Sequence, residues 1–171
     1  MIMVDEIYNS FDKKYQVDVV YTDFSKALDF VNFDILIKKL HMYNVPKEYM
    51  NWYDNFLRNK IIKVKINDSW SESFMIPSVV RQGSHSGPNL FKIYINDLPD
   101  IIKYSKILLF ADDVKLVQTI QSIYNCTELQ EDLKSFSMWC INNDMLLNID
   151  KCSIISYYKS ELKWWIIKQS W

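Results

Sequence analysis

The stretch Val17-Asp18-Val19-Val20-Tyr21-Thr22 is short, β-branched and mostly apolar, and it ends in a carboxylate, Asp23. Such a run reads as a buried strand over residues 16–24. A second apolar run, Ile107-Leu108-Leu109, leads straight into Phe110-Ala111-Asp112-Asp113, and a third follows from Val114 to Ile120. That is the pattern of two strands, 106–111 and 114–120, joined by a tight turn at Asp112-Asp113. One sheet can bring the strand that ends in Asp23 beside the hairpin that carries Asp112 and Asp113. Three converging carboxylates repel one another unless something cationic lies between them. Hard oxygen donors select ions of the magnesium type, and paired ions roughly 3.5–4 Å apart are the usual device for nucleotidyl transfer. An Asp-Asp pair alone carries little, because Asp favours turns. It gains weight here from the second strand that ends in Asp23 and from the glycine-bearing turn between them.

The rest of the chain supplies a frame for that sheet. Residues 1–15 are polar and mixed, with no clear order. Asp34 is placed to cap a helix through Leu40, and Pro46 suits the first turn of another that runs to about Arg58. Tyr49, Trp52, Tyr53 and Phe56 recur at helical spacing, and core packing is their expected use. A hairpin is expected from Ile61–Ile66 and Trp70–Ile76 around Asn67-Asp68, with Lys63 and Lys65 on a wet face. Both glycines of the chain fall in Arg81-Gln82-Gly83-Ser84-His85-Ser86-Gly87-Pro88, where the backbone must bend. A helix opens at Pro88 and ends near Asp97-Leu98-Pro99. An amphipathic helix spans 125–143 with Leu129, Leu133, Phe136 and Cys140 on one stripe, and a last strand covers 153–158. The order gives an α+β fold, helices packed on one face of an antiparallel sheet.

Composition removes several classes. At 171 residues and 49% hydrophobic, the chain is long and apolar enough to bury a real core, which argues against disorder. A net charge of −1 argues mildly against a free-standing nucleic-acid binder. Three widely spaced cysteines, Cys126, Cys140 and Cys152, fit buried fillers in a reduced intracellular protein of the nucleus or cytoplasm, with no zinc spacing. No secretory leader is expected, and no apolar run approaches the ~18 residues needed to cross a bilayer. His41 and His85 lack partners at ligand spacing.

Five blocks, in order, resemble the reverse transcriptases of non-LTR (LINE-type) retrotransposons. They are Tyr21-Thr22-Asp23-Phe24-Ser25-Lys26-Ala27, Val80-Arg81-Gln82-Gly83 through Phe91, Tyr94-Ile95-Asn96-Asp97-Leu98-Pro99, Phe110-Ala111-Asp112-Asp113, and Trp139-Cys140 with Leu147-Asn148 and Lys151-Cys152. The resemblance implies a polymerase palm with part of the fingers over residues 16–158, followed by a tryptophan-rich tail, 159–171, that does not resemble the family. It implies RNA-directed DNA polymerase activity, with an RNA or DNA template, a DNA primer and dNTPs as partners and no membrane. Asp23, Asp112 and Asp113, with the backbone carbonyl of Phe24, would hold Mg²⁺ or Mn²⁺. One ion would acidify the primer 3′-hydroxyl and the other would neutralise the triphosphate. Gln82 and Gly83 would line the incoming nucleotide, Leu28 stands at the sugar gate, and Lys151 is a candidate to protonate the leaving pyrophosphate.

The chain departs from that family's pattern in ways that touch the substrate but remove no metal ligand. Arg81 and Val79 stand where proline and glycine are usual, Leu28 stands where phenylalanine is usual, and Phe30 and Phe33 replace polar or basic residues. A thumb and the remaining fingers are expected to be absent, as from an element truncated at both ends. The competing expectation is therefore an inactive retrotransposon remnant that at most binds nucleic acid or protein.

Overall fold

A computed structural model describes residues 2–27, 30–58, 60–76 and 87–159. The first half carries α1 (Ile2–Asp12), β1 (Gln16–Asp23), α2 (Phe33–Met42), α3 (Lys47–Leu57), β2 (Lys60–Ile62), β3 (Lys65–Ile66), β4 (Ser69–Trp70) and β5 (Phe74–Ile76). The second carries α4 (Gly87–Ile95), α5 (Leu98–Ile101), β6 (Lys106–Phe110), β7 (Asp113–Ile120), α6 (Ile123–Asn142), a single 3₁₀ turn at Ile149–Lys151 and β8 (Ser153–Tyr157). The chain divides into two compact units, residues 1–25 with 97–171, and residues 26–96.

The first unit is built on a four-stranded antiparallel sheet in the order β6-β7-β1-β8. Side chains alternate along a strand, so Val17, Val19, Tyr21 and Asp23 share one face of β1 while Asp18, Val20 and Thr22 share the other. Val20, Leu116 and Ile120 bury against Cys126, Leu129 and Leu133 of α6. Each of the fully buried leucines and isoleucines in that layer contributes about 1.5–3 kcal/mol. The opposite face, Val17, Val19 and Val117, is covered by Met3 and Ile7 of α1. Helices therefore lie on both faces of the sheet, not on one as the element order implied. The physical reason lies in β1, which carries Val17 and Val19 on one face and Val20 on the other and is buried at five successive positions, where a strand with a single buried face would alternate. It also explains why residues 2–12, in a stretch expected to have no clear order, form a helix: their Met3 and Ile7 have an apolar face to cover.

Loop 102–105 is fixed to α6 by one buried carboxylate. Asp132 accepts from the backbone N–H groups of Lys103 (2.9 Å), Tyr104 (3.0 Å) and Ser105 (2.6 Å) and from the Ser105 hydroxyl (2.6 Å). The helix itself starts at Ser122, whose N–H donates to Asn125 Oδ1 at 3.1 Å.

In the second unit α2 packs on α4, with Leu36, Leu40, Leu90 and Tyr94 buried. The Lys39 ammonium, buried with them, donates to the Tyr94 carbonyl at 2.6 Å. Asn32, not Asp34, caps α2, its side-chain oxygen accepting from Asp34 N and Ile35 N. Asp34 is turned outward to pair with Arg58. Half of the α3 stripe is not core: Tyr49 and Trp52 are 62% and 54% exposed, Tyr53 is half-buried, and the Phe56 side chain lies outside those described. The expected single hairpin splits into β2–β5 and β3–β4, because the Ser71 hydroxyl takes the Val64 N–H out of the ladder. Asn67 takes the turn at φ 53°, a conformation Asn tolerates. Among the described residues no helix is long and apolar enough to cross a membrane.

Candidate active site

The sheet brings the first and third acidic positions together. Asp23 is the last residue of β1, and its antiparallel partner is Asp113, the first residue of β7. Phe110 also pairs with Asp113 across the hairpin, which leaves a two-residue turn, Ala111-Asp112. The turn thus sits one residue earlier than the sequence suggested. A two-residue hairpin turn that matches strand twist needs positive φ at its first position. Ala111 supplies it at φ 53°, at a cost of about 1 kcal/mol for its Cβ. The shift matters because one residue decides the face. Asp113 lies on the sheet facing Asp23, and Asp112 stands exposed at the tip.

A loop from the far end of the chain closes the other side. Asn148 N donates to the Asp23 carbonyl and Ser25 N to the Leu146 carbonyl, both at 2.8 Å, around an isolated bridge between Phe24 and Leu147. Phe24 anchors this end of the strand, its ring 6.1 Å from Phe136 and 6.5 Å from Trp139. The bridge uses the carbonyl of Asp23. The same loop carries Lys151, whose Nζ lies 3.1 Å from Asp23 Oδ2, with the two side chains 67% and 24% exposed. Lys151, Asp23, Asp113, Asp112 and Phe24 are therefore brought to one end of one sheet.

One neighbour gave no signal of its own in the sequence. Lys115, two residues along β7 from Asp113, places its ammonium 5.1 Å from the centre of the Tyr21 ring. The Tyr21 hydroxyl meets that of Tyr157 at 3.0 Å, and burial, then this hydrogen bond, push its pKa up to about 12. Register supplies the missing signal, since Tyr21 and Lys115 are cross-strand partners. An apolar cleft of about 410 Å³, lined by Met3, Val4, Leu108 and Phe110, reaches Asp113 and Lys115.

Burial also holds the thiols of Cys140 and Cys152 in the neutral form, Cys140 up to about 12, which fits inert fillers. Leu28, Val79, Arg81, Gln82, Gly83 and His85 lie outside the described residues. For a divalent ion the donor chemistry fits, since Asp23 and Asp113 face each other and an ammonium already neutralises Asp23. Among the described residues, however, no three His, Cys, Asp or Glu side chains are drawn together closely enough to enclose one.

The family described as Reverse transcriptase (RNA-dependent DNA polymerase) matches residues 4–168. The probable RNA-directed DNA polymerase from transposon BS of Drosophila melanogaster is 30% identical over 146 residues, covering 81% of this chain and 16% of that protein. The RNA-directed DNA polymerase from mobile element jockey of the same species is 27% identical over 154 residues, covering 85% and 17%. The chain thus spans less than a fifth of the length of these relatives. Among solved structures, telomerase from Candida albicans in complex with a fragment of telomeric RNA matches at a TM-score of 0.67 and 12% identity, over 94% of this chain and 31% of that one. Apo telomerase from Candida tropicalis matches at 0.61 and 12% identity, over 90% of this chain and 34% of that one. At such identity the likeness shows the fold alone, an α+β polymerase palm whose antiparallel sheet is backed by helices.

Proposed function

The chain belongs to the reverse transcriptase (RNA-dependent DNA polymerase) family, and on that premise we propose that residues 16–158 are the palm and part of the fingers of an RNA-directed DNA polymerase. The family match, residues 4–168, reaches beyond both of these bounds. The reaction is attack of a primer 3′-oxygen on the α-phosphorus of a dNTP. A phosphodiester bond forms, the bond to the β-phosphate breaks, and pyrophosphate leaves. The template is RNA or DNA, and the setting is the nucleus or cytoplasm. The activity in the relatives' names comes to this chain only as part of this proposal.

One observation carries the reading: Asp23 and Asp113 are register partners, with Asp112 adjacent at the turn. Asp23, Asp112, Asp113 and the Phe24 carbonyl are the groups that would hold Mg²⁺ or Mn²⁺. Such ions, when bound, supply acidification of the 3′-hydroxyl and neutralisation of the triphosphate. Lys151 holds a proton at Nζ for the departing pyrophosphate. Leu28 borders the sugar, and Gln82 and Gly83 line the base, on the strength of the family resemblance.

The test is extension of oligo(dT) on poly(rA) with Mg²⁺ or Mn²⁺, run beside an Asp112→Asn, Asp113→Asn double variant. The expected result is weak, metal-dependent extension that the double variant lacks. Extension that survives the substitutions overturns the assignment. No extension at any metal concentration favours the competing reading, a remnant that binds without catalysing.

A further inference from the structure

The carboxylate end of the sheet already holds a cation of the protein's own. Asp23 and Asp113 face one another across two strands, and like charges directly opposite destabilise a sheet. The Lys151 ammonium answers half of that charge from 3.1 Å. Its position is fixed by backbone, not only by its side chain. Asn148 N donates to the Asp23 carbonyl at 2.8 Å, and Lys151 N donates to the Asn148 carbonyl at 3.0 Å. The 3₁₀ turn that carries the lysine is thus tied to the residue it neutralises. Yet the lysine side chain is 67% exposed, so solvent screens the pair and a stronger competitor can displace it. Lys115 is a natural contrast. It lies on the same face, two residues from Asp113, but its ammonium rests on the Tyr21 ring and not on a carboxylate.

We propose that Lys151 is a built-in counter-ion for Asp23 that a divalent cation must displace, so that loading the site and releasing the lysine ammonium are one coupled event. This rests on the reading of Asp23 as an ion ligand and adds a second role to Lys151. In the ion-free chain it neutralises Asp23. Once displaced, the same ammonium is at liberty to meet the charge of the leaving pyrophosphate. The coupling is reciprocal: the factor by which the Lys151 contact weakens cation binding is the factor by which a bound cation weakens the Lys151 contact.

The experiment is a Mn²⁺ titration of the full chain, free and bound ion distinguished by electron paramagnetic resonance, with no nucleotide or primer present. Lys151→Met is expected to bind Mn²⁺ about three- to tenfold more tightly than the native chain, through loss of a competitor and of like-charge repulsion. Lys115→Met, which removes one charge from the same face, is expected to change affinity by less than about twofold. Unchanged affinity in Lys151→Met overturns the proposal, and so does an equal gain in Lys115→Met, which would reduce the effect to net charge. Two other outcomes remove the ion-site reading itself and the proposal with it. One is the absence of saturable Mn²⁺ binding in both the native chain and Lys151→Met. The other is binding that persists when Asp23 and Asp113 are both changed to Asn.

Discussion

Two places in the same sheet-and-helix unit treat carboxylates in opposite ways. At the junction of loop 102–105 with α6, Asp132 is 1% exposed and takes four hydrogen bonds, three from backbone N–H groups. At the end of β1, Asp23 faces a second carboxylate and is answered by one solvent-exposed lysine. The first arrangement satisfies the anion with donors that the fold itself holds in place, so the charge fastens a loop. The second leaves negative charge short of partners, which costs stability and creates a demand for a cation. The Asp132 charge is satisfied before any ligand arrives, and the Asp23–Asp113 pair is not.

The sharpest way to break that contrast is Asp132→Ala. It leaves three inward-facing N–H groups without an acceptor, and the expected loss is about 2–4 kcal/mol. Urea unfolding followed by circular dichroism reads it. A loss below about 1 kcal/mol would mean that the hydrogen bonds to Asp132 are incidental.

Asp18 tests the middle ground. It is fully buried, its Oδ2 has no hydrogen-bond partner, and neither does Oε1 of its neighbour Gln16. Burial pushes its carboxyl pKa up, opposed by hydrogen bonds from Ser156 and Gln16. A raised pKa in the folded state means that folding favours the protonated form. Stability is then highest below the unfolded value near about 3.9 and declines as pH rises from there through the raised folded value. Asp18→Asn removes the charge and offers an N–H to Gln16. The expected gain is about 1–2 kcal/mol at pH 7, falling to nothing below about pH 4. A pH-independent difference in melting temperature would show that the side chain's charge is not what is penalised.

How much of this the sequence disclosed follows from what kind of signal each feature leaves. The strand 16–24 and the long helix were legible because their apolar runs are long and keep their period. The meeting of Asp23 with the Asp-Asp pair was legible because each carboxylate follows directly on an apolar run. The turn itself was misplaced by one residue, since Ala111 at φ 53° looks like any other alanine in a strand. The Lys151–Asp23 pair joins residues more than a hundred positions apart, and only the loop closure at Phe24 and Leu147 makes it local. The α3 stripe misled for a different reason. Helical spacing says that one face is apolar and says nothing about what covers it, and Tyr49 and Trp52 stay exposed.

Asp113→Asn sharpens the other side of the contrast. It relieves the like-charge pair, so the metal-free chain is expected to gain a few tenths of a kcal/mol, more at low salt. In millimolar Mg²⁺ or Mn²⁺ the order reverses, because only the native chain is stabilised by the ion. Thermal melts with and without metal decide it. A native chain whose melting temperature ignores millimolar metal would deny that the acidic end is built to receive a cation.

The smallest effect lies at the pair that ties α1 to the edge strand. Glu6 bonds the Lys106 ammonium and, at 3.1 Å, accepts from the Thr119 hydroxyl. The lysine contact is the largest cause of a Glu6 pKa held below its usual value. A lowered folded pKa means that the stabilisation is present above the unfolded value, near about pH 4.3, and is lost as pH falls through the folded one. Lys106 is 58% exposed, so the pair is worth well under about 1 kcal/mol. Glu6→Gln is therefore expected to lower stability slightly at pH 7 and not at all below about pH 3. Asp23 has a lysine too but faces a second carboxylate, whereas Glu6 has its lysine and a hydroxyl donor as well. Added Mg²⁺ should leave the difference between Glu6→Gln and the native chain unchanged, and a metal-dependent difference would show that Glu6 itself takes part in ion binding.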